Sequence, residues 1–416
     1  MIYKIKRQLA NHNKVLENFS YLAMIQFFNI LLPLATYPYL IKVLGSKLYG
    51  EVIFAQTIAT YFTIFIAYGF NISGAKDVAL VRDKSDELNE VVSSIMIIKV
   101  LFWFISLICL IVSLMLFTTG KDTFLLYLFS FTICFNDLLF PQWFFQGIEK
   151  MKYSTIINLV IRGLFFVFIF SFIKEESQYL LVPLLNGIGA LIGGGVALYI
   201  VFKKEKVKFK FPSINKLILR LKESFPLFAS NVIISIKDRF NVIFIGMFLG
   251  KDQVVLYDLG VKLMNVAMLP INVVNNAIYP KMAIEKNKKM LKDVMKYSFL
   301  FYFIVILLAQ PFIPYIVKII SEDIKEAVMP VRILLLAPIV SSLGFPLAHN
   351  GLVVFGKYKV LLIGMLLTTF FYLTCIFIGY QLNVLSSVSI FAGVTLMVYI
   401  FEFLYRYLVC KKLNIY

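Results

Sequence analysis

Histidine and cysteine are nearly missing from this sequence, with two and four among 416 residues. His12 sits near the amino terminus and His349 deep in an apolar stretch, so no Ser/His/Asp relay and no imidazole metal cluster is spelled out. Cys109, Cys134, Cys375 and Cys410 all fall in apolar segments without paired spacing, which marks them as packing residues. Charge of either sign is scarce at 15% of residues, well below the usage of a soluble domain. Long polar stretches are missing too. The longest, about 203–222, is too short for a separate nucleotide-hydrolysing or sugar-transferring domain.

What fills the chain is apolar. A hydrocarbon core about 30 Å thick takes about 20 apolar residues per helix. The stretches near 19–41, 52–72, 91–118, 123–145, 153–173, 179–202, 225–250, 254–280, 296–318, 327–355, 360–380 and 384–409 all reach that length. The expected fold is therefore an all-α polytopic membrane protein of about twelve transmembrane helices. Of 41 Lys and Arg, 28 fall on the two termini and alternate loops, and only Lys42, Lys47, Lys121, Lys174, Lys251, Lys318 and Lys325 fall on the opposite loops. By the positive-inside rule both termini are cytoplasmic. A wrong number of spans would scramble that alternation. Contact of the basic loops with anionic headgroups accounts for the net charge of +18 without invoking nucleic acid. The first apolar stretch runs through Pro33 and Pro38 with no small-residue cleavage site, so it reads as a retained helix rather than a signal peptide.

The 203–222 gap divides twelve spans into six and six, giving an amino-terminal lobe at 1–205 and a carboxy-terminal lobe at 206–416. Behind Pro212 and Ser213, Ile214, Leu217, Ile218 and Leu221 recur at helical spacing, with Lys216, Arg220 and Lys222 on the other face. That pattern is a basic amphipathic linker helix at the interface, joining the two bundles. The halves are faintly alike. A helix closing on Val43-Leu44-Gly45 is followed by Ser46 to Gly50, and one closing on Phe248-Leu249-Gly250 is followed by Lys251 and Asp252. Six spans per half make this a parallel pseudo-repeat around a central cavity, the symmetry that transporters use to rock two lobes.

Charges at membrane depth mark pathways by default. With Lys296 and Lys318 counted to the adjoining loops and Arg406 to the basic carboxy-terminal segment, six bases lie within the spans (Lys99, Arg162, Lys237, Arg239, Lys262 and Arg332), with four acids, Asp137, Asp238, Asp258 and Glu402. Lys237 and Arg239 stand about 16–20 Å into their span, and Arg162 and Lys262 about 13 Å, at the helical rise. Bases at mid-depth suit a phosphate or diphosphate, onto which Arg forks and Lys adds a point charge. The candidate cationic lumen is thus Arg162, Lys237, Arg239, Lys262 and Lys99, with Asp137, Asp258 and Glu402 as candidates for ion coupling. The competing reading is that these bases pair with the acids and hold helices together, or snorkel to an interface in the case of Lys99 and Arg332. Gly69-Phe-Asn-Ile-Ser-Gly74-Ala75-Lys76 spaces its glycines as a phosphate loop does, but Ala75 stands where the lysine is needed. Gly187, Gly189 and Gly193 to Gly195 read as sites of close helix contact. His349 reads as a packed, hydrogen-bonded side chain before a proton relay.

Two blocks bring a family into view. Asn29-Ile-Leu-Leu-Pro33-Leu-Ala-Thr-Tyr37-Pro38-Tyr39, continuing to Gly45-Ser-Lys-Leu-Tyr49-Gly50, resembles the opening of Wzx-type O-antigen and polysaccharide-unit flippases. So does Pro141-Gln-Trp143-Phe-Phe-Gln-Gly147-Ile-Glu-Lys-Met151, and more weakly Phe225-Pro226-Leu227-Phe228, Phe248-Leu249-Gly250 and Ile278-Tyr279-Pro280-Lys281. The resemblance implies the multidrug/oligosaccharidyl-lipid/polysaccharide exporter fold, with two six-helix lobes. It implies movement of an undecaprenyl-diphosphate-linked oligosaccharide from the cytoplasmic to the periplasmic leaflet of the bacterial inner membrane by alternating access. No cofactor is implied. Partners it suggests are membrane lipid, a polysaccharide polymerase, a chain-length regulator, and H+ or Na+. Related peptidoglycan-precursor flippases have fourteen spans, and twelve points away from them. A multidrug/cation antiporter of the same superfamily would want an acid-dominated cavity, whereas deep bases outnumber deep acids six to four. A polymerase would want a long periplasmic loop, and the longest here, 318–326, has about nine residues. A bland scaffold in an assembly complex leaves the deep charges unused.

Overall fold

The computed structural model describes the backbone of residues 2–118 and 120–416, and the side chains of these save 2–19, 22, 23 and 323. Side chains of the amino-terminal bases Lys4, Lys6, Arg7 and Lys14, and of His12, lie outside the described residues. Sixteen α-helices follow one another among them: α1 (Ile2–Ala67), α2 (Phe70–Val81), α3 (Ser85–Phe117), α4 (Lys121–Phe131), α5 (Cys134–Leu139), α6 (Gln142–Gly147), α7 (Met151–Phe172), α8 (Leu181–Tyr199), α9 (Ile214–Phe248), α10 (Lys251–Glu285), α11 (Lys288–Ala309), α12 (Ile313–Ile320), α13 (Val328–Leu334), α14 (Ala337–Pro346), α15 (Tyr358–Gln381) and α16 (Val388–Lys412).

Ten helical stretches among the described residues are long and apolar enough to cross a membrane. Two of the twelve expected spans are not separate members of these ten. The first and second expected spans run together in α1, whose direction is broken at Gly45 (φ 72°, ψ 165°). The seventh is α9, which carries Lys237, Asp238 and Arg239 in its interior. Several spans are assembled from short helices at prolines, as the missing N–H and the ring demand. Pro141 stands between α5 and α6, and Pro338 and Pro346 open and close α14, which runs into a π-helical stretch, Leu347–Val353.

The packing separates into two units. One comprises 1–39 and 55–232, the other 40–54 and 233–416, so α1 and α9 each contribute to both. In the first unit α2 packs on α6, and α8 packs on α5 and α7. Its core gathers Phe70, Val92, Ile95, Trp143, Phe144 and Phe145. The α8 glycines permit this packing. A Cβ on Gly187 would lie 1.9 Å from Thr132 Oγ1, one on Gly193 1.9 Å from Ile161 Cδ1, and one on Gly194 2.4 Å from Leu139 Cβ. Small residues bring helix backbones close where lipid offers no hydrophobic drive to associate.

The amphipathic helix expected at 214–221 is not a separate connector. It is the first third of α9, continuous through Pro226 to Phe248. Leu217 and Leu221 pack against the core of the first unit. Arg220 pairs with Asp77 at 2.7 Å, Lys216 pairs with Glu90, Lys210 with Asp86, and Lys150 with Glu205 at 2.7 Å. The backbone N–H of Lys208 and of Lys210 donate to Asn89 Oδ1 at 2.8 Å and Ser93 Oγ at 2.9 Å. The basic linker is therefore strapped along the ends of α2 and α3.

In the second unit α14 and α16 pack together, α11 covers α14, and α13 lies between α10 and α16. Gly250 adopts φ 115°, ψ 162°, close to the turn at Gly45, and opens α10 as Gly45 opens the second half of α1. Both are conformations that a side chain resists. The two turns also meet: a Cβ on Gly50 would lie 1.8 Å from the Lys251 carbonyl oxygen. The Lys251 ammonium sits 2.9 Å from the centre of the Phe54 ring.

Candidate functional site

Each predicted base has a definite surrounding. Lys99, on α3, is 1% exposed. Its ammonium donates to the Asp137 carbonyl oxygen at 2.9 Å and lies 5.9 Å from the centre of the Trp143 ring. Arg162, on α7, donates from Nε to Asn29 Oδ1 at 3.1 Å. Lys262 pairs with Asp258 one turn earlier on α10. Arg239 is exposed and forms no ion pair among the described residues. Arg332 faces Gln310, whose amide donates to the Arg332 carbonyl oxygen at 3.3 Å.

Lys237 is different because its ion pair crosses between helices. Its ammonium lies 3.4 Å from Glu402 Oε2 on α16 and 3.7 Å from Asp238 Oδ1. The other Glu402 oxygen takes Arg406, one turn further along α16. Arg406 also donates from Nη1 to the Gly344 carbonyl oxygen at 3.2 Å. Residues 399, 402 and 406 share one face of α16, as i, i+3 and i+7 must. Tyr399 therefore joins the same cluster, its ring centre 5.5 Å from the Lys237 ammonium. These side chains line a cavity of about 220 Å³ within the second unit, completed by Asn272 of α10 and Ser341 and Phe345 of α14. The wall carries two cations on one carboxylate, with amide, hydroxyl and phenol groups around them.

Of the five predicted bases, then, this cavity holds Lys237 alone, with the predicted acid Glu402. Arg406 was grouped with the basic carboxy-terminal segment, and its place in the cavity corrects that grouping. Its signal was available: a glutamate and an arginine four residues apart on an apolar helix are neighbours. His349 is held by packing. Its Nε2 lies 3.0 Å from Asn276 Oδ1 and its ring meets Tyr279 edge to face, centres 4.7 Å apart. Among the described residues no group of three or more His, Cys, Asp or Glu side chains gathers as a metal site would require.

Long apolar helices, several of them carrying buried charge pairs, define a polytopic membrane fold. Solved structures bear this out at the level of fold. An inward-facing MATE-family multidrug transporter of the MOP superfamily superposes with a TM-score of 0.68 at 17% identity, covering 92% of this chain and 99% of its own. A Vibrio cholerae MATE transporter superposes with a TM-score of 0.64 at 13% identity, covering 96% of each chain. Residues 15–284 match the family described as "Polysaccharide biosynthesis protein", and the chain belongs to that family. It is 28% identical over 275 residues to an Escherichia coli (strain K12) protein named "Putative O-antigen transporter". That match spans 66% of this chain and 66%, just under two thirds, of the relative. A Shigella dysenteriae protein of the same name is 25% identical over 269 residues, 64% of this chain and 67% of its own.

Proposed function

We propose that this protein is a flippase that carries a polyprenyl-diphosphate-linked oligosaccharide, an O-antigen or related surface-polysaccharide repeat unit, from the cytoplasmic to the periplasmic leaflet by alternating access. The inner bacterial membrane with both termini cytoplasmic is its setting, and undecaprenyl is the lipid. Membership of the polysaccharide biosynthesis family and likeness to two proteins named as O-antigen transporters support the substrate class. The observation that carries the chemistry is the Lys237–Glu402–Arg406 cluster facing a cavity.

Two cations sharing one carboxylate form a site that a phosphate oxygen can enter by competition. When Glu402 is ionised it occupies both bases. When Glu402 takes a proton, Lys237 and Arg406 are released to bind phosphate oxygens, and the charge on the cavity rises. Proton and substrate binding are linked in this reading, so affinity for the diphosphate rises as pH falls. Asn272, Ser341 and Tyr399 offer hydrogen bonds and a ring face to a sugar. Arg162 and Arg239 serve as further attractors for the diphosphate. Lys99 and Asp137 hold α3 to the α5 turn, and Asp258 neutralises Lys262.

The test is export in cells lacking the native gene. Loss of the protein should accumulate lipid-linked repeat units on the cytoplasmic leaflet. Wild type should clear them, while K237M and R406M, present in the membrane at normal levels, should not. Clearance by both variants at the wild-type rate would overturn the assignment of this cavity.

A further inference from the structure

Opposite the ionic cavity, α10 presents a second concavity. Met268 and Asn272 line the first, and Pro270 and Val274, about half a helical turn away, line the second. The second cavity, about 560 Å³, lies between α10 and α11. Its inner end is built by Tyr302 of α11. The Tyr302 hydroxyl accepts from the Ile271 N–H at 3.1 Å and donates to the Ala267 carbonyl oxygen at 2.8 Å. An unbroken helix would join those two groups directly. A hydroxyl inserted in the ladder beside a proline opens the helix on that side.

The groove has two chemical ends. Its walls are apolar, and the protein leaves them uncovered: Val274 is 40% exposed, Phe301 51% and Tyr297 65%. Its rim carries Lys281, Lys289 and Asp293. Lys289 and Asp293 stand one turn apart on α11 yet form no ion pair with each other, and among the described residues Lys281 pairs only with Glu285, at 3.9 Å. Eleven residues separate Pro270 from Lys281, about 16 Å of helix, or half of a hydrocarbon core about 30 Å thick. The trough is therefore one leaflet deep, and its charged rim lies on the loop where the sequence concentrates lysine.

We infer that this groove holds one aminophospholipid. Its phosphate lies on Lys281 and Lys289, its ammonium on Asp293, and an acyl chain along Val274, Val294 and Phe301. The carboxylate selects the headgroup. A purely anionic lipid would set its phosphate beside Asp293 with no cation of its own in return. Free phosphate would use the lysines and leave the apolar trough empty.

Protein reconstituted in vesicles of equal phosphatidylethanolamine and phosphatidylglycerol, then extracted in mild detergent, is examined by native mass spectrometry and lipid quantification. Wild type should retain about one phosphatidylethanolamine per chain, enriched at least about tenfold over phosphatidylglycerol, the ratio one charged hydrogen bond supplies. D293N, at an exposed position, should keep a bound lipid and lose the enrichment. K281A/K289A and V274W should each lose the bound lipid. Equal retention of both lipids by wild type, or an unchanged ratio in D293N, overturns the headgroup assignment. Unchanged retention in V274W, or displacement of the lipid by added polyprenyl phosphate at equal concentration, overturns the groove as a phospholipid site.

Discussion

Replacing Glu402 by glutamine keeps the side chain's shape and removes one negative charge from between two cations. Glu402 and Lys237 are 12% and 16% exposed, and their charges stand 3.4 Å apart. At an effective dielectric constant of about 20 the attraction is about 5 kcal/mol. Desolvation offsets part of that attraction, and removing one member of a buried pair costs about 3–5 kcal/mol. Lys237 retains Asp238 at 3.7 Å, whereas Arg406 retains only the Gly344 carbonyl. We therefore expect E402Q to cost about 3 kcal/mol, the low end of that range. For a unit of this size that corresponds to a fall of about 6–12 °C in the unfolding midpoint. Part of the cost is repulsion between the two stranded cations, so removing one of them should restore stability. E402Q/R406M should recover about 1–2 kcal/mol, within the usual coupling of touching residues, and E402Q/K237M should recover less. The assay is thermal unfolding of purified protein in lipid nanodiscs. A neutral E402Q, or double variants whose losses simply add, would refute the shared-carboxylate argument.

Three further outcomes are expected. G50A should unfold at a lower temperature than G45A: the new Cβ meets the Lys251 carbonyl at 1.8 Å in the first case and open space in the second, leaving G45A with about 1–3 kcal/mol of backbone strain at a φ and ψ that only glycine adopts readily. Charge reversal on the linker strap should be graded by burial. R220D should destabilise by about 1–3 kcal/mol and be rescued by D77R, because that pair is only 15% and 25% exposed, while K210D should be near neutral because its partner Asp86 is 87% exposed. A lipid-soluble carbene-generating probe should label exposed Cys109 on α3 well before buried Cys134 and Cys410, read by mass analysis of the peptides; equal labelling would contradict the packing.

The spans, the glycine-lined face of α8 and the paired turns at Gly45 and Gly250 were legible in the sequence because each is a local rule. Span length reads the bilayer, small residues read helix contact, and a glycine after an apolar run reads a positive φ. The Asp258–Lys262 pair was legible in the same way, from a spacing of four. Lys99 with Asp137 and Arg162 with Asn29 were not, since 38 and 133 residues separate the partners. Arg406 was obscured by Lys411 and Lys412 beyond it, which made a cavity residue look like the start of a basic tail. The continuity of α9 was obscured by Pro226, because a proline reads as a helix boundary. Here the carbonyl left without its donor is that of Lys222, an exposed residue whose backbone water can reach, so the break costs little.

Placing charge in a membrane leaves two solutions, and this chain uses both for different ends. Asp258 with Lys262 is solved within one helix, and such a pair travels with its helix and registers no movement of any other element. Glu402 is solved twice, once within α16 by Arg406 and once across to Lys237 of α9. Only the second contact changes if α9 and α16 slide or tilt against each other. In the proposed function, a proton on Glu402 would weaken that cross-helix contact and raise the affinity of both bases for an anion, and an anion held by both bases would replace the carboxylate as the bridge between the helices. If α9 moves during transport, tying it to α16 by an N241C/T395C disulfide, at a contact outside the cavity where Asn241 Nδ2 donates to Thr395 Oγ1 at 2.9 Å, should block export, and reduction should restore it. A cross-linked protein that exported at the wild-type rate would show that α9 and α16 move as one body, and would remove this contact from the transport cycle.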